Sequence, residues 1–273
     1  MTSSVHVSTG SLAVSGASLY YELRGSGPLL AIVGAPMASA PFAPLADLMA
    51  ADHTVLTMDP RGHFGSPLDD PESDSTPELR ADDLAGLISH VSVGPATVLG
   101  SSGGAITTLA LLEAHPHLVQ TAIAHEPPLT QLLEDREKQL AGNEETVATF
   151  VGGDRLGAVR KFMANADFVM PEEMFMQMFG GEKPPAELAS ERFFYLHELR
   201  GTAGWVPDLN ALRSTEVRLL IGIGETSAGM FCDRTSRALA AELKIEPALF
   251  PGGHGGFMEN PPAFAARLRE VIG

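Results

Sequence analysis

The stretch of residues 97–106 constrains the fold of this chain more than any other part of its sequence. A short apolar, strand-like run meets a Gly-x-Ser-x-Gly pattern formed by Gly100, Ser102 and Gly104, and an apolar helical pattern follows at once. Glycines at the flanking positions let a strand and a helix pass closely, which holds the serine on a strained corner with its hydroxyl exposed. The helix start behind it offers free N–H groups. We therefore predict a strand–turn–helix corner with Ser102 as the candidate nucleophile.

Strand-like and helix-like patterns alternate along most of the chain, which is typical of a mostly parallel sheet with helices on both faces. The strand-like patterns lie at residues 12–14, 19–23, 29–33, 54–58, 96–99, 119–124, 217–223 and 245–250. The helical patterns lie at residues 42–51, 76–91, 104–114, 233–243 and 262–272. The sequence therefore predicts an α/β fold with a mostly parallel, eight-stranded sheet flanked by helices.

One long stretch, residues 129–205, interrupts this alternation. It contains helical patterns and no convincing strand, and prolines and glycine pairs divide it into short helices. Its apolar residues are mainly methionine and phenylalanine, which can line an adaptable apolar pocket. We predict that residues 129–205 form a helical cap inserted after the sixth strand, and that residues 1–128 and 206–273 form the α/β core.

Composition restricts the class of partner. The chain has 34 acidic against 18 basic residues and a formal net charge of −16, which disfavours binding to nucleic acid or to an anionic membrane surface. The N-terminal residues carry no secretory signal pattern, and no apolar run is long enough to span a bilayer. The single cysteine, Cys232, excludes an intramolecular disulfide and a cysteine-based metal cluster. Since the phosphate-binding and dinucleotide-binding glycine motifs are also missing, we expect a cytoplasmic protein that binds a small apolar molecule and no cofactor or metal. The oligomeric state stays open.

A serine hydroxyl is a weak nucleophile and needs a general base within hydrogen-bond reach. His254 is the strongest candidate, because it lies in a glycine-rich loop, residues 251–257, between the last predicted strand and the last predicted helix. Such a loop is costly to order unless its backbone must approach another part of the molecule closely. We predict that His254 is the base for Ser102, which it follows in chain order.

Further motifs surround these two residues in a fixed order. The chain carries Gly-Pro at residues 27–28 before the third strand, Val-Gly-Ala-Pro at residues 33–36 after it, and Asp-Pro-Arg-Gly-His-Phe-Gly-Ser at residues 59–66 after the fourth. Together with the serine corner and the histidine loop, this set resembles the cap-bearing esterases, dehalogenases and C–C hydrolases of the α/β-hydrolase fold. The resemblance covers nearly the whole chain outside the predicted cap. It implies that fold, and an oxyanion hole formed by the backbone N–H groups of Gly103 and Ala35.

The resemblance leaves the acid that orients the histidine open. In most relatives it follows the seventh strand, but here that turn, residues 222–227, carries Ser227 at the matching position and Glu225 two residues earlier. Glu126 follows the sixth strand, where some haloalkane dehalogenases of this fold carry their acid. A carboxylate there can reach the far nitrogen of His254 and fix its tautomer. We predict Glu126 as the acid, with Glu225 as the alternative.

A serine at the corner also restricts the reaction class. Dehalogenases and epoxide hydrolases of this fold need an aspartate nucleophile, because water opens their alkyl-enzyme ester at the carboxyl carbon. Serine indicates acyl transfer to water. We therefore predict a hydrolase that cleaves a small-to-medium apolar carboxylic ester or lactone through an acyl-enzyme on Ser102. Two alternatives remain: hydrolysis of a C–C bond, and a non-hydrolytic member of the fold, either a biosynthetic lyase or cyclase or a ligand-binding receptor.

Overall fold

Eight strands form one sheet in the computed structural model, which describes residues 5–273 of the chain. They are β1 (Val7–Val14), β2 (Ala17–Arg24), β3 (Leu29–Val33), β4 (Thr54–Met58), β5 (Ala96–Ser101), β6 (Val119–His125), β7 (Arg218–Gly224) and β8 (Ala248–Phe250). Their order across the sheet is β1-β2-β4-β3-β5-β6-β7-β8. β2 pairs antiparallel with β1 and with β4, and every other pairing is parallel. The predicted eight-stranded, mostly parallel sheet is confirmed.

The ends of several predicted elements differ from those observed, most clearly in the first strand, the last strand and the helix predicted from residue 233. β1 begins at Val7 rather than at residue 12, because its first half is polar and exposed and is held by pairing with β2 instead of by burial. β8 begins at Ala248 rather than at residue 245. The helix predicted from residue 233 begins at Phe231, and Asp233 accepts a hydrogen bond from the Gly229 N–H from within its first turn.

Helices cover both faces of this sheet. The described α-helices are α1 (Ala43–Met49), α2 (Pro77–Val91), α3 (Gly103–Ala114), α4 (Arg136–Val151), α5 (Arg155–Asn165), α6 (Glu172–Phe179), α7 (Pro185–Phe193), α8 (Leu199–Gly204), α9 (Leu209–Ser214), α10 (Phe231–Leu243), α11 (Gly256–Glu259) and α12 (Pro261–Ile272). Residues of α2, α3 and α10 share one apolar cluster with the sheet, and residues of α1, α11 and α12 share a second. The two clusters lie on opposite sides of the strands, as expected for a parallel sheet buried on both faces.

All of the regular secondary structure described between β6 and β7 is helical. This stretch holds α4 to α9, and α4 and α5 pack against each other. An apolar cluster of its own includes Val147, Ala158 and Tyr195. The division into a core and a cap at residues 129 and 205 stays a prediction.

Two sequence expectations concern the chain as a whole. Among residues 5–273, no helix combines the length and the apolar character that crossing a membrane requires. The expectation that the chain has no secretory signal falls in part on residues 1–4, which lie outside the described residues.

Candidate active site

The predicted strand–turn–helix corner joins β5 to α3. Ser102 stands between the two elements with φ 57° and ψ −126°, a strained backbone conformation for a residue with a side chain. A Cβ on Gly100 would collide with the Gly104 carbonyl, and a Cβ on Gly104 would collide with the Val33 carbonyl. Glycine is therefore required on both sides of the corner, because neighbouring backbones pass there without room for a side chain.

The helix behind the corner is buried on all sides. Ile106, Leu109 and Leu111 are all inaccessible to solvent, so α3 packs against the sheet and against neighbouring helices at once. The Ser102 N–H donates to the His125 carbonyl at 3.0 Å, which ties the corner to the end of β6. Ser102 is thus held at the carboxyl edge of the sheet, where ligands bind in open α/β folds.

His254 and Glu126 form a short hydrogen bond at the same edge. The His254 Nδ1 and the Glu126 Oε2 are 2.6 Å apart, and the second carboxylate oxygen accepts from the Gly224 N–H at 2.8 Å. Glu126 is fully buried and has φ 51°. Burial alone would raise the pKa of Glu126, but the hydrogen bond and the charge of His254 lower it to about 2. The carboxylate is therefore anionic, and it fixes the ring with Nε2 free for proton transfer.

The alternative acid lies elsewhere. Glu225 follows β7, is exposed, and makes no hydrogen bond to His254; its N–H donates to the Phe250 carbonyl. Ser227, at the position where most relatives would carry the acid, is buried and helps to lower the pKa of Glu126. A carboxylate at residue 227 would repel Glu126, since two adjacent anions cannot both ionise freely. Of the two predicted acids, only Glu126 is brought to the histidine.

Ser102 and His254 line one cavity. No hydrogen bond joins their side chains among the described residues, and such contacts often tighten only when substrate is bound. Phe162, Phe168 and Phe194 from the helical stretch also line the cavity. No methionine is among the residues that line the cavity, and Met174, Met176 and Met178 of α6 are exposed.

The two backbone groups expected to form the oxyanion hole also line this cavity. The Gly103 N–H is the first of α3, and the Ala35 N–H follows β3. Neither donates a hydrogen bond to another described residue. A Cβ on Gly103 would collide with the Ala35 carbonyl, so the two loops are in close contact. Two free donors at a helix start can stabilise a developing negative charge.

Cys232 is a neighbour of the site that sequence reasoning missed. Ligand-type atoms of Cys232, His254 and Glu126 lie within 4.8 Å of one another. Two ligands of one tetrahedral zinc ion stand about 3.3 Å apart when each bond is about 2.0 Å. The 2.6 Å between His254 and Glu126 therefore fits a hydrogen bond and does not fit shared metal ligation.

The electrostatics of His254 follow from the same neighbours. Burial lowers the pKa of His254, but Cys232 and Glu126 overcome this effect and raise it above its ordinary value of 6.5. His125, one residue before Glu126, is the opposite case: burial lowers its pKa to about 4, so its ring is neutral. Only His254 of these two rings lines the cavity.

A buried cluster of polar and charged side chains adjoins the cavity. The ring of His63 lies between Ser190 and Glu198, with hydrogen bonds to both. Glu198 also lines the cavity, and Arg80 is 3.9 Å from its carboxylate. No local sequence pattern marks Glu198 or Arg80, because the cluster joins three distant parts of the chain.

Comparisons with known proteins extend over nearly the whole chain. A model of the alpha/beta hydrolase family matches residues 29–267. The uncharacterized hydrolase YraK of Bacillus subtilis (strain 168) is 30% identical over 271 residues, covering 97% of this chain and 96% of that protein. Zearalenone hydrolase of Bionectria ochroleuca is 26% identical over 271 residues, covering 94% of each. Among solved structures, Est816, described as an N-acyl homoserine lactone degrading enzyme, is similar with a TM-score of 0.74 at 19% identity, covering 96% of this chain and 99% of that one.

Proposed function

The chain belongs to the alpha/beta hydrolase family, and from this premise we propose that it is a serine hydrolase of neutral carboxylic esters or lactones. The observation that supports the proposal is the meeting of Ser102, His254 and two free backbone N–H groups at one cavity, with Glu126 behind the histidine. This combination supplies a nucleophile, a base, an orienting acid and an anion site.

In the proposed acylation step, the Ser102 hydroxyl attacks the substrate carbonyl carbon and His254 Nε2 takes its proton. The carbonyl oxygen becomes an oxyanion, which the Gly103 and Ala35 N–H groups stabilise. Collapse of this intermediate breaks the bond to the alcohol oxygen, and His254 returns the proton to that oxygen. The products are an acyl-enzyme on Ser102 and a free alcohol, which for a lactone stays attached to the acyl group.

Deacylation repeats the sequence with water. His254 removes a proton from a water molecule that attacks the acyl carbon, and the same N–H groups receive the oxyanion. The proton then passes to the Ser102 oxygen as it leaves, which regenerates the enzyme and releases the acid. Glu126 stays ionised throughout and stabilises the imidazolium form of His254.

The cavity favours neutral substrates. Its described lining includes no lysine or arginine, and its phenylalanines make much of the wall apolar. A substrate carboxylate would lose its hydration there without gaining a cationic partner, which is costly. The similar proteins named as a zearalenone hydrolase and as an N-acyl homoserine lactone degrading enzyme support an assay set that includes lactones.

A fluorophosphonate probe and a substrate panel test the proposal. We expect the probe to label Ser102, and we expect turnover of p-nitrophenyl esters or of lactones. Labelling without turnover of any ester or lactone, but with turnover of a vinylogous diketone, would assign C–C hydrolysis instead. A folded protein that is neither labelled nor active on any of these substrates would overturn the proposal in favour of a non-hydrolytic role.

The pH dependence of the reaction follows from His254. Because the base must be neutral and its pKa is raised, activity is lost as the pH falls through the raised value. We expect kcat/KM for a p-nitrophenyl ester to rise with pH along a limb with its midpoint above 6.5. In Glu126→Gln, the residual activity should show a midpoint at lower pH, since the neighbouring negative charge is gone. A wild-type midpoint below 6.5 would contradict this account.

A further inference from the structure

We propose that Glu198 determines substrate specificity by accepting a hydrogen bond from a substrate hydroxyl inside the cavity. This inference rests on the proposed ester or lactone hydrolysis and adds a substrate class to it: substrates that carry a neutral hydroxyl group, alcoholic or phenolic, away from the scissile bond.

Only one of the two carboxylate oxygens of Glu198 accepts a hydrogen bond from the described residues. Glu198 is 2% exposed, and its Oε2 accepts from His63 Nε2 at 2.8 Å and lies 3.9 Å from the Arg80 guanidinium. Its Oε1 has no hydrogen-bond partner among residues 5–273. Buried polar atoms are nearly always paired, so a carboxylate with a purely structural role would use both oxygens. The unpaired Oε1 needs a donor that the described protein does not supply.

The cavity is where that donor can come from. Glu198 lines the same cavity as Ser102 and His254, among the phenylalanine side chains. Glu198 ends a single π-helical turn, Phe194–Glu198, and both ends of this turn reach the cavity wall. π-helical turns are rare and occur frequently at functional sites. The turn thus presents one apolar and one anionic group to the same ligand space.

The charge balance around Glu198 selects a neutral donor. Burial alone would raise the pKa of Glu198, but the charge of Arg80 and the hydrogen bond with His63 lower it, so the group is anionic. Arg80 is buried, and Ser75, Thr107 and Thr202 accept hydrogen bonds from its guanidinium nitrogens. Since Arg80 already balances the charge of Glu198, a ligand cation would add an uncompensated charge. A ligand carboxylate would be repelled. A hydroxyl supplies the missing hydrogen bond without changing the net charge.

The test compares three p-nitrophenyl esters that differ in one ring substituent. They are the esters of para-hydroxyphenylpropanoic, phenylpropanoic and para-methoxyphenylpropanoic acid, with the meta isomers as a second set. The hydroxyl compound alone can donate, whereas the methoxy compound can only accept. In either the para or the meta set, we expect the wild-type kcat/KM for the hydroxyl ester to be about 10- to 100-fold higher than for the other two esters. This is the size expected for one hydrogen bond to a charged group.

In Glu198→Gln we expect this preference to collapse, because the amide can donate to the methoxy oxygen as well as accept from the hydroxyl. Glu191→Gln is the matched control: Glu191 is a partly buried carboxylate of the same helical stretch, paired with Arg155, and is not part of the cavity lining. Its hydroxyl preference should equal that of wild type. If Glu198→Gln does not fold because Arg80 is left unpaired, the double variant Arg80→Gln/Glu198→Gln removes both charges together.

Equal kcat/KM values for all the esters in wild type would overturn the role of Glu198, and so would a preference that survives in either Glu198 variant. Failure of the proposed function looks different. In that case wild type hydrolyses none of the esters and the fluorophosphonate probe labels no residue.

Discussion

We expect Ser102→Ala to lower kcat/KM for ester hydrolysis by about 10⁴- to 10⁶-fold, the range seen when the nucleophile of a serine triad is removed. The variant keeps the cavity and both oxyanion donors but cannot form the acyl-enzyme. A fluorophosphonate probe that labels the wild-type protein should also fail to label this variant. Steady-state kinetics on one p-nitrophenyl ester, together with mass spectrometry of the labelled protein, measure both effects.

Ser214→Ala is the control for this variant. Ser214 ends α9, is exposed, and bonds only to the Ala211 carbonyl in the described structure, so its loss should leave kinetics and labelling unchanged. Folding of Ser102→Ala is checked by circular dichroism and by its melting temperature. Alanine lacks a branched side chain and meets the same backbone strain as serine at φ 57°. Retention of esterase activity by a folded Ser102→Ala, or labelling at another residue, would refute Ser102 as the nucleophile.

The second large effect concerns the acid. We expect Glu126→Gln to lower kcat/KM by about 10³- to 10⁴-fold, as amide replacement of a triad acid does elsewhere. Glu126 accepts two hydrogen bonds, from His254 and from the Gly224 N–H, one at each oxygen. A glutamine has only one accepting oxygen, so its NH₂ group must face one of these donors. Either the histidine takes the wrong tautomer or the backbone N–H is left without a partner in a fully buried position.

Glu225→Gln makes the matched comparison, because it is the same substitution at the alternative acid that the sequence offers. Glu225 is exposed and has no hydrogen bond to His254. The kcat/KM of the Glu225→Gln variant on the same ester should therefore stay within about twofold of wild type, as for other surface substitutions. Pre-steady-state acylation kinetics separate an effect on the first step from one on product release. A large loss in Glu225→Gln with little loss in Glu126→Gln would reverse the assignment.

Some features of this molecule depend on neighbouring residues in the sequence and could be predicted from it. The corner at Ser102 is one, because strand, turn and buried helix follow one another within a few residues. The order of the strands along the chain is another, since each strand coincides with a short apolar run in the sequence. The limits of β1 and β8 were less well predicted, because pairing with the neighbouring strand decides where a strand begins and ends. Pairing makes β1 longer than its apolar run, and β8 pairs over only part of its own.

The pocket was predicted less well than the fold. Phenylalanine and methionine look alike in an apolar pattern, but only packing decides which side chains turn inward, and here it is Phe162, Phe168 and Phe194. Glu198 gave no signal at all. Its partners His63 and Arg80 come from the loop after β4 and from α2, which approach it only in the folded chain.

The amino-acid sequence by itself determined the sheet, the strained serine corner and the glycine-rich histidine loop, because each follows from residue types that are adjacent in the chain. It left two carboxylates as possible partners of His254. Both follow parallel strands that are neighbours in the sheet, so chain order places them at the same edge. Only the tertiary structure decided between them: the backbone of Glu126 turns its side chain inward, where it is fully buried against His254, whereas Glu225 points to solvent. Depth and direction at a sheet edge are set by long-range packing, which no local pattern in the sequence encodes.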